Sequence, residues 1–163
     1  MALSRTGKPA QAAAELEALR TLARDPAMAK VMFGNNHADA VLAVALPMLQ
    51  GELLRAQGKP GEGIAALREA MAAEDKLNYN EPADWPLPTR PYLGAALLEA
   101  GDPRGAALAY RQDLKTYPDN GWSLYGLAQA QRTLGDAAGA ALSEQRYRAA
   151  WQWADAPLTA SRY

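Results

Sequence analysis

Apolar residues recur at intervals of three and four along most of the chain, and no stretch has the pattern of a β-strand. This spacing puts apolar side chains on one face of an α-helix. It predicts seven helices, whose ends are set by proline, glycine and capping residues. They span residues 10–23, 38–57, 61–75, 89–100, 104–117, 122–134 and 137–153. Pro47 lies inside the second, where we expect a kink or a break because proline removes a backbone hydrogen bond.

Four glycine turns punctuate this helical pattern. The sequence is Gly-Lys-Pro at Gly7 and Gly58, Gly-Asp-Pro at Gly101 and Gly-Asp-Ala at Gly135. Glycine just after a helix readily takes the left-handed conformation, proline suits the first helical position, and aspartate can cap the next helix. We therefore expect each turn to join two antiparallel helices.

The last two turns are 34 residues apart, and the residues around them match at the same offset. The spacings between the four turns are 51, 43 and 34 residues, which is one 34-residue unit with 17, 9 and no additional residues. The matched pairs are Leu93 with Leu127, Gly94 with Ala128, Gly101 with Gly135, Asp102 with Asp136, and Ala106 with Ala140. A fixed period of this length indicates stacked helical pairs and an all-α fold.

These positions resemble the tetratricopeptide repeat family, whose 34-residue unit is a helix-turn-helix. The matching residues are Leu93, Gly94, Gly101, Ala106, Tyr110, Leu114 and Pro118 in one unit, and Leu127, Ala128, Gly135 and Ala140 in the next. Glu144 replaces the usual aromatic residue, and Gly63 stands where a third, weaker unit should have a packed alanine. More narrowly, residues 73–101, 110–130 and 150–163 look like the C-terminal part of long bacterial tetratricopeptide-repeat proteins, most of which have no assigned role.

The resemblance implies a helix-turn-helix solenoid of about three antiparallel pairs plus an extra N-terminal helix, closed by the last ten residues. A single domain over residues 1–163 would comprise a partial repeat and connector (1–37), a degenerate repeat (38–76), a proline-rich segment (77–87), two repeats (88–120 and 121–153) and a tail (154–163). The helix at 10–23 lacks its antiparallel partner before Gly7. We expect its apolar strip to pair with a second copy of the chain or with upstream sequence.

The proline-rich segment, residues 77–87, is called the strap below. Pro82 and Pro86 should hold it extended, because the residue before a proline avoids helical angles. Leu87 is expected to cap the following helix, with Pro88 and Pro91 at its first and fourth positions, where a missing amide hydrogen costs little.

Two interpretations of the strap are open. Its large aromatic residues, Tyr79 and Trp85, can simply fill a gap between two helical units. Alternatively, Tyr79, Glu81, Trp85 and Arg90 form the wall of a small-molecule, metal or peptide site.

Composition excludes several classes of function. The chain has 17 basic and 18 acidic residues and a formal net charge of -1, so it carries no electrostatic signal for nucleic acid or an anionic membrane. It contains no cysteine, which removes disulfides and thiolate sites but leaves both cytoplasm and periplasm open. No segment has the length and apolar character of a membrane span or the pattern of a signal peptide.

The inventory for catalysis is small. His37 is the only histidine, and we expect it at a helix start with Asn35 or Asn36 as the cap. The glycine-rich stretch 58–63 follows a helix and has no Lys-Ser/Thr pair, so it predicts a turn instead of a phosphate site. We therefore expect neither an enzyme nor a cofactor or metal centre.

The helices themselves offer a binding surface. In stacked pairs the first helix of each unit lines one face, and residues off its packing stripe are available to a partner. The candidates are Met48, Glu52 and Arg55 on one helix, and Trp122, Tyr125, Gln129 and Arg132 on another. Aromatic residues with arginine are typical of binding hot spots. The alternative is that these side chains are solvated or covered by the tail.

The sequence thus predicts a non-catalytic module that binds a protein or peptide. A ligand is expected between the strap and the helix at 122–134. A small-molecule or metal-binding domain centred on the strap, and a structural or dimerisation segment of a longer protein, are the alternatives.

Overall fold

The computed structural model describes residues 2–162, apart from the side chain of Arg5, and divides the chain into two compact units, Met1–Thr89 and Arg90–Tyr163. Eight α-helices are found among the described residues, as the all-α prediction requires. They are α1 Ala2–Arg5, α2 Pro9–Ala23, α3 Ala38–Ala56, α4 Pro60–Glu74, α5 Thr89–Glu99, α6 Pro103–Thr116, α7 Gly121–Thr133 and α8 Ala137–Ala150. All seven predicted helices are present, with ends within a few residues of those expected.

Helix α3 is the centre of the first unit and packs against α1, α2 and α4. It runs through Pro47 without the break that the sequence allowed. The backbones of α3 and α4 meet at Gly51 and Gly63: a Cβ on Gly63 would lie 2.8 Å from the carbonyl oxygen of Gly51. Gly63, which departs from the repeat pattern, is therefore one of two glycines that let these helices approach.

The N-terminal helix does have a neighbour on its upstream side. The single helical turn α1 precedes Gly7 and packs against both α2 and α3, so the expectation of a missing partner is corrected. Leu16 is buried, Leu19 is half-buried and Leu22 remains 46% exposed. The apolar strip of α2 is thus partly covered, and its pairing with a second copy stays a prediction.

Between α2 and α3 the chain forms a 3-10 helix, Pro26–Lys30, and then a small β-hairpin. Strands β1, Met32–Phe33, and β2, Asn36–His37, pair antiparallel. The prediction of no strand is therefore wrong for these four residues. Gly34 turns the hairpin with a φ of 66°, a conformation that favours glycine.

The hairpin is joined to the strap by an amide network. The Asn36 side chain donates to the carbonyl oxygen of Asn78 at 3.0 Å and to Asp84 Oδ2 at 2.7 Å, and its own oxygen accepts from the Asn78 backbone N–H at 2.7 Å. The backbone N–H of Asn35 also donates to Asp84 Oδ2 at 3.0 Å, and Asn80 donates to the other oxygen of Asp84. His37 does lie at the start of α3, but neither asparagine caps that helix.

Asp84 is the anionic centre of this network. Hydrogen bonds from Asn80 and Asn36, followed by those from the backbone of Asn35 and Asn36, hold its pKa below the usual value for an aspartate. A side chain on Gly34 has no room there, because its Cβ would lie 1.8 Å from Asp84 Oδ1.

Helix α5 starts at Thr89, the first residue of the predicted span 89–100, so Pro88 precedes the helix and Pro91 is its third residue instead of its fourth. Thr89 is buried, and its backbone N–H donates to Glu74 Oε2 at 3.0 Å. The Thr89 hydroxyl donates to the same oxygen. The carboxylate at the end of α4 therefore caps α5 and takes the role expected of Leu87.

In the second unit, the two predicted turns have matching geometry. Gly101 and Gly135 have φ values of 80° and 78°. Asp102 Oδ1 accepts the Gly105 backbone N–H at 2.8 Å, and Asp136 Oδ1 accepts that of Gly139 at 2.9 Å. Both the left-handed glycines and the aspartate caps are confirmed. The same conformation occurs at Gly7 and Gly58, with φ values of 75° and 78°.

The core of the second unit is arranged around Tyr110 on α6, which is fully buried. Gly94 on α5 and Gly126 on α7 lie against its ring, since a Cβ would come within 2.4 Å of ring carbons at Gly94 and 2.3 Å at Gly126. Two glycines on neighbouring helices thus make the space that one tyrosine fills.

A buried carboxylate ties α6 to α7. Asp113 is 2% exposed, and its Oδ2 accepts hydrogen bonds from Asn120 Nδ2 at 2.8 Å and from the Ser123 hydroxyl at 2.6 Å. Burial raises the pKa of Asp113 above the usual aspartate value, against the opposing effects of Ser123, Asn120 and the Arg90 charge.

Between residues 2 and 162, no helix combines the length and apolar character needed to cross a membrane.

Candidate functional site

The three candidate side chains on α3 are not accessible. Met48 is fully buried, which follows from the position of α3 among three other helices. Glu52 and Arg55 form an ion pair, with side-chain exposures of 2% and 7%. In a pair this deeply buried, the attraction between the two charges offsets the cost of removing both of them from water. The structure thus corrects the expectation that Met48, Glu52 and Arg55 line an open face.

The four strap candidates, Tyr79, Glu81, Trp85 and Arg90, are divided between the two units. Tyr79 is 77% exposed, and a hydrogen bond with Glu81 raises the pKa of its hydroxyl. Trp85 is half-buried in the same unit. Arg90 is the second residue of α5 and belongs to the second unit, where its charge acts on Asp113.

The described part of the chain has no group of three or more His, Asp or Glu side chains that could hold a metal ion.

A pocket of about 270 Å³ lies in the first unit between α1, α2 and α3, away from the strap. Its lining is mainly apolar, with Ser4 and Glu15 as the polar residues.

The candidates on α7 contact α8 and the residues after it. The ring centroids of Trp122 and Trp151 are 4.9 Å apart in an edge-on arrangement, and those of Tyr125 and Tyr147 are 5.4 Å apart. Gln129 is half-buried. Leu134, which directly follows α7, is 39% exposed, whereas Leu124 and Leu127 are buried.

Arg132 is the exposed member of the α7 set, and it pairs with Glu144 on α8. Arg148 pairs with the other oxygen of Glu144 at 3.2 Å. The hydrogen bond from Arg132 is the main reason that the pKa of Glu144 lies below its usual value, and the Arg148 contact acts in the same direction. Glu144, which departs from the family pattern, therefore has a specific partner.

Tyr147 and Trp151 complete an aromatic cluster with Trp122 and Tyr125. The rings of Tyr147 and Trp151 are stacked, with centroids 6.1 Å apart and an interplanar angle of 26°. Because each ring also has a neighbour on α7, both are fixed in orientation. Their polar atoms, the Tyr147 hydroxyl and Trp151 Nε1, are directed at the chain beyond α8.

That chain is an irregular stretch, residues 156–162, which we call the docked segment. Trp151 Nε1 donates to the carbonyl oxygen of Ala156 at 2.8 Å. The Tyr147 hydroxyl accepts from the backbone N–H of Leu158 at 3.4 Å. Aromatic side chains on the helices therefore hold the backbone of the segment at two points.

Two side chains of the docked segment make further contacts. Ser161 is 2% exposed, and its hydroxyl is hydrogen-bonded to that of Tyr110. Arg162 Nη2 donates to Glu99 Oε1 at 3.1 Å. The residues that contact the segment come from all four helices of the unit or directly follow them, and we call them the segment-binding face. They are Glu99, Tyr110, Gly126, Tyr147 and Trp151.

Sequence reasoning identified the aromatic side of α7 and a tail that closes the helices, but it missed Glu99, Tyr147 and Trp151 as contact residues. The signal that was present is the four-residue spacing of Tyr147 and Trp151, which places both rings on the same side of a helix. Trp153 does not share this spacing and is 90% exposed.

No family model, curated protein or solved structure matches this chain. The functional conclusion consequently rests on the geometry of the segment-binding face.

Proposed function

We propose that this chain is a non-catalytic interaction module that binds a short non-helical stretch of polypeptide on the segment-binding face of its second unit. The observation that carries the proposal is the docked segment itself. Helical side chains hold an irregular stretch of chain through two backbone hydrogen bonds, one buried side-chain hydrogen bond and one ion pair. A surface that does this for its own chain has the groups needed to do it for another.

The geometry and composition of the segment-binding face favour peptide binding. Its donors and acceptors are set by ring packing against α7, so little side-chain entropy is lost when a ligand is held. Tyrosine and tryptophan provide large contact area together with a polar atom, which is the usual composition of binding hot spots.

We also propose that α5 to α8 are two tetratricopeptide repeats. The 34-residue offset between the Asp102 and Asp136 caps, and the position of Gly94 against Tyr110, support this assignment. In that architecture a protein or peptide is the expected class of partner. We propose no nucleic-acid, membrane or cofactor partner.

The test is selection from a library of random peptides on the full chain. Enriched peptides are then titrated into isotope-labelled protein and followed by NMR. We expect the largest shifts at Tyr110, Gly126 and Tyr147, together with loss of protection at the Leu158 amide as the docked segment leaves. Scrambled versions of the same peptides are the control. Enriched peptides that shift only the strap or α2, or a failure to enrich any peptide, would count against the proposal.

A further inference from the structure

We propose that the segment-binding face selects a partner segment in which a small hydroxyl-bearing residue is followed by a basic residue, and that the docked segment is its competitor within the same chain. This inference rests on the proposed function and adds to it the chemistry of the partner and the way access is controlled.

The requirement for a small residue comes from Gly126. A Cβ at this position would lie 2.7 Å from Ser161 Cβ and 2.6 Å from the Tyr110 hydroxyl oxygen. The space that Ser161 occupies therefore exists because residue 126 has no side chain. Ser161 is 2% exposed, so a larger residue in its place has no room to turn outward without lifting the segment.

The requirement for a hydroxyl comes from Tyr110. Its ring is fully buried, and its hydroxyl group is hydrogen-bonded to that of Ser161 inside the unit. An alanine at the position of Ser161 fits the space but removes this bond where water has little access. Discrimination between a hydroxyl and a methyl group is strong in such a site, because a buried hydrogen bond is lost.

The requirement for a basic residue comes from Glu99. Arg162 reaches its carboxylate at 3.1 Å, and the side chain of Arg162 is only 13% exposed. An acidic residue at that position would put two carboxylates side by side. The face therefore distinguishes a basic from an acidic partner at the position after the hydroxyl residue.

The remaining contacts fix the position of the segment along the face and do not depend on its side chains. The bonds from Trp151 Nε1 to the Ala156 carbonyl and from the Leu158 N–H to the Tyr147 hydroxyl engage only backbone atoms of the segment. They lie five and three residues before Ser161. A partner must therefore supply an irregular stretch of about seven residues, with its selective side chains at one end.

The docked segment satisfies all of these requirements, so it occupies the face that a partner needs. A tethered segment a few residues from its site has an effective concentration in the millimolar range. A free peptide of the same sequence therefore competes poorly with it. The apparent affinity for the peptide is reduced by the fraction of chains whose segment is undocked. A variant in which every chain is undocked therefore gains affinity by the reciprocal of that fraction.

The experiment uses the full chain and a labelled peptide of sequence DAPLTASRY, residues 155–163, blocked at both ends. In the Ser161→Tyr chain the larger side chain expels the docked segment. We expect this variant to bind the peptide at least about 10-fold more tightly than the wild-type chain in fluorescence anisotropy. Thr159→Tyr is the matched control, since residue 159 is exposed in the same segment, and it should bind like the wild type.

Selectivity is measured on the opened Ser161→Tyr chain. Peptides carrying Ser161→Ala, Ser161→Tyr or Arg162→Glu should each bind about 10-fold more weakly than the parent peptide. Adding Glu99→Arg to the opened chain should restore binding of the Arg162→Glu peptide and weaken that of the parent. A second released chain, Arg162→Glu, retains Ser161 and keeps the test valid if the tyrosine variant does not fold.

Equal peptide affinity for wild-type, Thr159→Tyr and both released chains would overturn the competitor role. Binding that ignores the Ser161 and Arg162 changes in the peptide would overturn the selectivity. If the wild-type chain is a dimer and the free peptide dissociates it, the segment is exchanged between copies. That result would overturn the role of the docked segment as a competitor within its own chain. If random peptides reach the face but show no Ser/Thr-basic preference, this inference fails while the proposed function stands. If no peptide of any sequence reaches it, the proposed function itself fails.

Discussion

The Asp113 carboxylate accepts a hydrogen bond from the Ser123 hydroxyl at 2.6 Å, with both side chains at most 2% exposed. This contact joins α6 to α7 in the interior of the second unit. The cost of burying the charge and the gain from the hydrogen bonds act in opposite directions, and burial is the larger influence on the pKa.

The first prediction separates the charge of Asp113 from its hydrogen bonds. Asp113→Asn keeps an acceptor oxygen and removes the buried charge, so we expect it to be at least as stable as the wild type at neutral pH. Asp113→Ala leaves Ser123 and Asn120 without this acceptor and should cost about 1–3 kcal/mol. Chemical denaturation of the three chains is the measurement.

The same variants carry a pH signature. The folded-state pKa of Asp113 is raised, so the native state binds more protons than the unfolded chain once the pH exceeds the unfolded value of about 3.9. The contribution of Asp113 to stability is therefore present below that value and is lost as the pH rises through the folded pKa. The advantage of Asp113→Asn over the wild type should grow with pH across this window and then level off. A difference that is constant with pH would contradict it.

The second prediction concerns Asp84, for which the sign is reversed. Its folded pKa is lowered, so the contribution of the network is complete above the unfolded pKa and is lost as the pH falls through the folded one. In a carboxyl NMR titration, Asn80→Ala should move the pKa of Asp84 back toward its ordinary value, because Asn80 provides the largest influence. Asn78→Ala is the control, since Asn78 bonds to Asn35 and Asn36 and not to Asp84. Equal effects of the two variants would show that the network acts as a whole.

The third prediction tests why residue 34 is glycine. Gly34 and Gly58 both have positive φ values, but an added Cβ meets Asp84 only at Gly34 and meets nothing within 4 Å at Gly58. Alanine at either site has a backbone cost of about 1 kcal/mol. Gly34→Ala should cost at least about 1 kcal/mol more, from lost hydrogen bonds to Asp84. Thermal unfolding gives the difference, and equal losses at the two sites would mean that the hairpin is not held by Asp84.

The fourth prediction tests backbone conformation without any change in packing. A Cβ added at Gly101 or at Gly61 would meet no atom within 4 Å, but Gly101 has a φ of 80° and Gly61 lies in the first turn of α4. Gly101→Ala should lower the free energy of unfolding by about 1 kcal/mol. Gly61→Ala should leave it unchanged or raise it by up to about 1 kcal/mol, since alanine favours helix. Chemical denaturation measures both changes, and a loss at Gly61 as large as that at Gly101 would remove the conformational explanation.

The turns and helix caps could be predicted from the sequence because the residues that determine them lie a few positions apart. The Gly101 turn and the Asp102 cap depend on residues within one helical turn of each other, and both were found. The hairpin network could not be found in this way. Its hydrogen bonds join Asn35 and Asn36 to residues more than 40 positions away, and no short pattern encodes that meeting.

The candidate site shows the same limit. Periodicity shows which face of a helix is apolar, but not how many neighbours that helix has, so Met48 and Glu52 on the central helix α3 were placed on an open surface. On α7 the residue types were informative, since Trp122 and Tyr125 do lie in an aromatic cluster. Tyr147 and Trp151 could not be identified as their neighbours, because that contact depends on how α7 and α8 pack against each other.

The hairpin and the docked segment are held in place by different kinds of interaction. The hairpin is held to the strap by amide and backbone groups around a single carboxylate, whereas the docked segment depends in part on the charge pair between Arg162 and Glu99, whose carboxylate is 57% exposed. Dissolved ions screen attraction between accessible charges and have less effect on hydrogen bonds to neutral amides. An increase in ionic strength therefore weakens the Arg162–Glu99 contact of the docked segment and has less effect on the hydrogen bonds that hold the hairpin.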